Sequence, residues 1–404
     1  MTALQFAPTP ATINDPFVGR DMLCFSHDWT GDPLSKTHLM RLLARDNRIL
    51  WVNSIGYRAP NFGSKQDLGR IARKIKQATE PVREVERNIF VLNPLAIPGV
   101  RSPWLRKWNS RFLSWQIRRA TSRLRFKRPI NWVFNPAAGD VAGTLGESEI
   151  VYYCVDEYTK FSGVDTSTLL EIERRLIEKS NLVVVSAERL MQPKSSSTRP
   201  AVLLRHGVDY DHFRTALDAD IEIPGDLKDL PKPVIGYFGL MSEDWIDLPL
   251  LVHLAKSLPN CTLVMLGKST MDMSELERLP NVRLLGRKPY DSLPAYCKGF
   301  DVSIIPFPIS EVTLNANPLK AREYLAAGLP VVSTAIPEVE ALDSCLIAKS
   351  PEEFVSCVMK ALRHPGPNLE RSATMRSESW SARIEELKAA FASVQPRASG
   401  GGEQ

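Results

Sequence analysis

Residues 301–340 read DVSIIPFPISEVTLNANPLKAREYLAAGLPVVSTAIPEVE. Val302, Ile304 and Ile305 make a short apolar strand that stops at Pro306. A polar loop follows, with Ser310, Glu311, Thr313, Asn315 and Asn317. Pro318 suits the first turn of a helix, where its missing N–H leaves no bond unmade. Leu319, Arg322, Glu323, Leu325 and Ala326 continue that helix with good formers. Gly328 ends it and Pro330 bars its continuation. Leu329, Val331 and Val332 open the next strand. The order is strand, loop, helix, strand: a βαβ unit whose loop lies at the carboxyl end of a strand, where open α/β sheets bind ligands. The helix start presents free N–H groups and a partial positive charge, which suit an anion. Lys320 sits in that first turn, where an acid is the favourable neighbour, so an anion is expected to join it. The competing reading is a solvated pair between Lys320 and Glu323, three residues apart on one helical face.

The same alternation extends in both directions. Before it, strands are expected at 234–238, 262–266 and 282–285, with helices at 248–258 and 292–299. A further helix follows at 352–362. A first series holds strands at 22–26, 49–52, 89–92, 130–134, 150–155, 181–186 and 202–204. Its helices are expected at 35–45, 67–79, 104–125 and 169–179. Two such series argue an α/β chain of two doubly wound domains. The expected division is a flexible arm over 1–17, a first domain over 18–210, a linker over 211–233 and a second domain over 234–372. A helix over 373–395 and a disordered tail over 396–404 complete it. The first βαβ unit lacks G-x-G-x-x-G, so no dinucleotide cofactor is assigned to it.

NPLKAREYLAAGLPVVST resembles the signature helix of retaining GT-B glycosyltransferases of the family-4 type, also called glycosyl transferases group 1. Its N-x-x-P-L-K loop resembles a subgroup thought to build bacterial cell-surface polysaccharides. More weakly, VVVSAERL and LLRHGVD are similar to the family's S-x-x-L and N-G-V-D elements, with His206 in the asparagine's place. The resemblance implies the GT-B fold: two Rossmann-like domains facing across a cleft, the second binding a nucleotide diphosphate sugar. Glu323 takes the place of the glutamate that holds the donor ribose. Asn315 stands where the family usually has a second glutamate near the donor sugar, so it is carried as a catalytic candidate that brings no charge. Gly239 and Ser242 fall in the loop beside the donor diphosphate. That loop, 240–247, contains no Lys or Arg and three acids, whereas the family usually has an arginine and a lysine there. Phosphate binding then falls to the helix start with Asn317 and Lys320, and to Arg287 and Lys288 in a loop similar to the one that packs on the nucleobase.

On the first domain, Asp156 and Glu157 close a strand and face the expected cleft. They are candidates for acceptor binding or proton removal; a turn or N-cap role competes. His27 and Asp28 have the same location after the first strand. His206 is read as a linker histidine bonded to a backbone carbonyl. No metal is called for: Asp218 and Asp220 have D-x-D spacing but lie in the linker.

The 404 residues are 44% hydrophobic and 24% charged, ordinary for a globular protein. No apolar run is long enough for a membrane span, and the N-terminus lacks a secretory pattern, so a cytoplasmic protein is expected. The six cysteines show no C-x-x-C pair and read as buried thiols. Between Arg101 and Arg128 lie ten Lys or Arg and no acid. Trp104, Trp108, Phe112 and Trp115 recur there on one side of a helix, with Arg106, Lys107 and Arg111 beside them. That composition suits an anionic membrane surface, peripheral at the inner face of the cell membrane. The competing reading packs the tryptophans onto the sheet. Nucleic acid is not expected, since no binding motif accompanies the charge. The expected activity is transfer of a sugar from a nucleotide diphosphate donor to a glycan or lipid-linked acceptor, retaining and metal-independent. The alternatives are a non-catalytic nucleotide-sugar-binding relative that supports another transferase, or a nucleotide-sugar epimerase.

Overall fold

The computed structural model describes residues 15–29, 33–55, 81–97, 102–161 and 164–393. The first eight strands are β1 (Asp21–Phe25), β2 (Arg48–Val52), β3 (Arg83–Glu86), β4 (Ile89–Leu92), β5 (Ile130–Val133), β6 (Glu149–Cys154), β7 (Leu182–Val185) and β8 (Ala201–Leu203). They form one sheet in the order β3-β4-β2-β1-β5-β6-β7-β8. It is parallel apart from β3, which pairs antiparallel with β4 at one edge. The next six are β9 (Val234–Phe238), β10 (Thr262–Leu266), β11 (Val282–Gly286), β12 (Val302–Ile305), β13 (Val331–Thr334) and β14 (Cys345–Ala348). They form an all-parallel sheet in the order β11-β10-β9-β12-β13-β14. The inner strands read as nearly unbroken apolar runs because helices cover both faces of each sheet. In each sheet the strand order reverses once, between β1 and β5 and between β9 and β12. A crevice opens at such a reversal, and ligands bind there.

The helices that matter below are α1 (Ser35–Leu43), α2 (Pro103–Arg123), α3 (Thr166–Lys179), α4 (Leu248–Ser257), α5 (Leu293–Gly299), α6 (Leu319–Ala326), α7 (Pro351–Ala361) and α8 (Trp380–Ala392). The expected helix over 67–79 lies outside the described residues. Two expectations need correction. The arm does not run to residue 17: Phe17 is 1% exposed, with its ring 5.5 Å from Trp132 and 4.9 Å from Phe391. The apolar face of α8, Ile384, Leu387 and Phe391, joins that same core of the first domain. The stretch 211–233 is not a loose linker either. Phe213 and Leu227 are buried in the second domain's core, because short helical turns bring these apolar side chains inward.

Polar contacts join the two domains at the end of β7. The Asn317 amide donates to Ser186 O (2.7 Å), and the Glu188 N–H donates to Glu338 (2.7 Å). Arg205 Nε donates to the other oxygen of Glu338 (2.7 Å). Across the same junction, α1 meets the second domain through His38, whose ring stacks on Trp380 and lies near the Tyr290 hydroxyl.

Candidate active site

The loop after β12 delivers α6 to the crevice of the second sheet. Lys320, in the first turn, reaches over Gly239, which follows β9. Gly239 has φ +142°, and a Cβ there would stand 2.2 Å from Lys320 Cε, so only glycine leaves the lysine its path. The ammonium lies 5.6 Å from the ring centres of both Tyr237 and Phe307. Among the described residues it has no ion-pair partner, and burial lowers its basicity against the opposing pull of Glu323. Glu323, one turn on, is 8% exposed. Burial pushes its carboxyl up to about 7, with Lys320 pulling it down and Asp209 pushing it up. The solvated Lys320–Glu323 pair is thereby excluded: Glu323 is buried, Lys320 is half-buried, and they form no ion pair. A half-buried lysine in the first turn of a helix suits an anion, and a buried carboxylate to which no described residue donates suits hydroxyl groups. Asn315 is also buried, its Nδ2 donating to Glu311 O (2.7 Å), which leaves its carbonyl oxygen for a ligand. Ser242 opens the turn after Gly239, its carbonyl accepting from the Trp245 and Ile246 N–H groups.

The opposite wall comes from the first domain. His27 follows β1; its Nδ1 lies 3.0 Å from Ser26 Oγ, and burial lowers its pKa to about 3, so it is neutral. Asp156 follows β6. Burial raises its carboxyl to about 6, with the Lys36 charge pulling down. His27, Lys36 and Asp156 are set deep yet keep contact with solvent, as on the floor of a cleft. An aromatic run crosses from one wall to the other: Phe307 to Trp245 at 5.2 Å, Trp245 to Phe161 at 6.4 Å, and Phe161 to Tyr158 at 6.2 Å.

With the site in view, the comparisons with known proteins are specific. Residues 232–364, which include Gly239, Lys320 and Glu323, match the sequence model of the family described as Glycosyl transferases group 1. That match lies within the second domain. The chain is 23% identical over 283 residues to TuaH of Bacillus subtilis strain 168, named for a glycosyltransferase role in teichuronic acid biosynthesis. That match spans 63% of this chain and 70% of TuaH. Among solved structures it resembles sucrose-phosphate synthase from Thermosynechococcus elongatus, with a TM-score of 0.66 at 14% identity over 92% of this chain and 98% of that one. It also resembles Anabaena HepE in complex with UDP, with a TM-score of 0.60 at 12% identity over 92% of this chain and all of the other. These likenesses establish the GT-B fold over nearly the whole molecule.

Several expected site residues have other duties. Glu157 turns away from the cleft: it accepts from Thr159 Oγ1 (2.5 Å) and pairs with the buried Lys194 at 2.8 Å. Lys194 also meets Glu173 at 2.8 Å, and the Tyr152 hydroxyl donates to Glu173. Asn317 is not open to a donor, because its amide is spent on Ser186 O and its Oδ1 on the Arg322 guanidinium (2.7 Å). Lys288 is paired with Asp226 at 2.6 Å and lies 5.4 Å from the Tyr296 ring, so it holds its own domain together. Arg287 is exposed and lines, with Arg41 and Tyr290, a cavity of about 470 Å³ where α1 meets the second domain. Asp28 accepts from the Ser54 N–H (3.0 Å), a loop-shaping bond. His206 is the linker histidine expected: its Nδ1 is 2.9 Å from Asn317 O. A carbonyl only accepts, so Nδ1 carries the proton. Sequence reasoning missed Lys36, a single lysine on an ordinary amphipathic helix. No three His, Cys, Asp or Glu side chains among the described residues group as a metal site.

Helix α2 presents its aromatic side outward. Trp104, Trp108 and Trp115 are 72%, 50% and 56% exposed, while Leu113, Ile117 and Ala120 pack the opposite side onto the sheet. Trp108, Phe112 and Trp115 stack in line at 5.4 and 5.8 Å. The reading in which the tryptophans pack onto the sheet is therefore excluded. Arg106 leaves this face: it turns inward to Asp140 and Glu171, both at 3.4 Å. No described helix is long and apolar enough to cross a membrane.

Proposed function

We propose that the chain is a retaining, metal-independent glycosyltransferase that takes a sugar from a nucleotide diphosphate donor. The observation that carries this is the pairing, on one short helix, of a half-buried lysine over Gly239, without an ion-pair partner among the described residues, with a buried carboxylate one turn away. Lys320 and the α6 N-terminus take the diphosphate; Glu323 accepts hydrogen bonds from both ribose hydroxyls. The UDP bound by HepE supports a nucleotide donor of this kind. In the reaction the bond from the sugar's anomeric carbon to the diphosphate oxygen breaks. A bond from the acceptor oxygen forms on the same face, and the acceptor's proton passes to the departing phosphate oxygen. The protein contributes orientation and charge stabilisation rather than a nucleophile. Asn315 holds a sugar hydroxyl through its carbonyl oxygen, and Asp156 and His27 hold the acceptor.

The acceptor is a glycan or lipid-linked glycan of a cell-surface polysaccharide, a reading supported by the likeness to TuaH. The exposed tryptophans of α2, with Lys107 and Arg111 among them, hold the first domain to an anionic membrane at the cytoplasmic face. A second reading has its own support. Without cations in the 240–247 loop, the chain binds a nucleotide sugar and serves another transferase. The test is release of nucleoside diphosphate from a panel of donors by the purified protein. Release that depends on an added glycan acceptor supports transfer. Binding without release in any combination favours the second reading, and release regardless of acceptor favours hydrolysis or epimerisation.

A further inference from the structure

The donor site as built from the second domain alone is short of charge. A nucleoside diphosphate brings at least two negative charges, and the 240–247 loop offers no cation. Lys320 is one positive charge, with the Glu323 carboxyl beside it. Lys288 is occupied by Asp226.

Another cation lies on the facing wall. Lys36 is the second residue of α1 (Ser35–Leu43), a helix with no acid in its first turn, whose start is capped by Thr37 Oγ1 accepting from the Leu34 N–H (3.3 Å). It is set deep in the protein but keeps contact with solvent. Among the described residues its ammonium makes one hydrogen bond, a long one to the Tyr158 hydroxyl, 3.4 Å, and lies 6.0 Å from that ring. Among the described residues no carboxylate lies within ion-pair distance of it, and Asp156 pulls its basicity up from farther away. Its position relative to the donor helix is set by two contacts. Trp380 lies against both His38 of α1 and His206, with ring centres 5.8 and 6.0 Å away, and His206 Nδ1 is bonded to Asn317 O, two residues before α6 begins. α1 is itself held to the second domain by His38, against Trp380 and Tyr290. Two half-buried lysines, one from each domain, thus lie at the junction where α6 begins, and among the described residues no carboxylate is bonded to either.

We propose that Lys36 is a diphosphate-binding residue, the second cation of the donor site, contributed by the first domain. This rests on the donor reading above. It explains how the 240–247 loop can lack cations: the missing charge comes from across the cleft. It also makes diphosphate binding depend on the two domains being together, since Lys320 and Lys36 then share one anion.

The test is calorimetric titration of the full chain with UDP, UMP and uridine, and with ADP, GDP, CDP and TDP should UDP not bind. It compares the native protein with Lys36→Met, Lys36→Arg and Lys320→Met, each checked by thermal unfolding. Loss of a charge-assisted phosphate contact should weaken diphosphate binding by roughly ten- to a hundredfold in Lys36→Met. Nucleoside binding should stay unchanged, and Lys36→Arg should keep most of the diphosphate affinity. Equal diphosphate affinity in Lys36→Met and the native protein overturns the role of Lys36 and leaves the donor reading standing. So does an equal loss for diphosphate and nucleoside, which marks a merely structural lysine. If the folded native protein binds no nucleoside diphosphate at all, the donor reading falls and this proposal with it. A Lys36→Met chain that fails to fold transfers the question to Lys36→Gln, judged by the same ratio of diphosphate to nucleoside affinity.

Discussion

Glu323 holds a proton near neutral pH because burial disfavours its charge more than Lys320 restores it. The sign follows from linkage. Its folded pKa, about 7, lies above the unfolded value, so its contribution to stability is full below about pH 4.5 and is lost as pH rises through 7. A nucleoside's ribose hydroxyls need the ionised form. Nucleoside affinity should therefore be flat above pH 7 and fall toward tenfold per unit below it, read by titration between pH 5.5 and 8.5. A flat profile would mean that the carboxyl does not meet the ligand. Lys194 makes a different kind of claim. It is the shared cation of Glu157 and Glu173, all three nearly sealed from water. Lys194→Met leaves two buried carboxylates uncompensated and should cost about 3–5 kcal/mol, read as a fall in the denaturant midpoint. At this scale the sequence was only half legible. Glu323 and Lys320 could be placed because a helix start and a glycine turn fix them locally. Glu157 and Asn317 could not, because their partners Lys194 and Ser186 arrive from distant strands. Lys36 carries no local mark at all; only folding makes it a deep cation.

The helices and inner strands follow from their apolar runs, so β9, β10 and β12 lie where hydrophobicity alone puts them. The edges do not. β3, Arg-Glu-Val-Glu, is polar on both faces and owes its existence to the neighbouring β4. β14 is short and half-buried, with no alternation to reveal it. Helix α2 was legible in extent and in its aromatic spacing, but not in which side faces out; tertiary packing through Leu113 and Ile117 decides that. Its outward tryptophans lead to a prediction at this scale. The protein should sediment with vesicles containing anionic lipid, less so as salt rises. Reversing Lys107 and Arg111 to glutamate should reduce binding by about 1 kcal/mol or more for each position. Arg106→Glu should instead disturb the packing with Asp140 and Glu171. Sedimentation indifferent to salt and to Lys107 and Arg111 contradicts a membrane role for this face.

At the scale of the molecule, two sheets with single order reversals set their crevices opposite each other, and chain segments cross between them twice. The first crossing passes His206 and the second leads into α8, with Trp380 near both His206 and His38. Gly207 lies so close to Trp380 that a Cβ would stand 2.7 Å from its backbone. The two-domain plan was legible because strand and helix alternate twice along the chain. The junction was not, because it consists of polar contacts such as Asn317 to Ser186 and Glu338 to Arg205, whose partners lie more than a hundred residues apart. The central claim is that this junction encloses a nucleotide-sugar donor held by α6. The most direct measurement is calorimetric titration of a nucleoside diphosphate panel against the native protein and Glu323→Ala. The account predicts saturable binding by at least one nucleoside diphosphate, weakened in Glu323→Ala by roughly 1.5–3 kcal/mol. No binding by any of them, or the same affinity in both proteins, would contradict it.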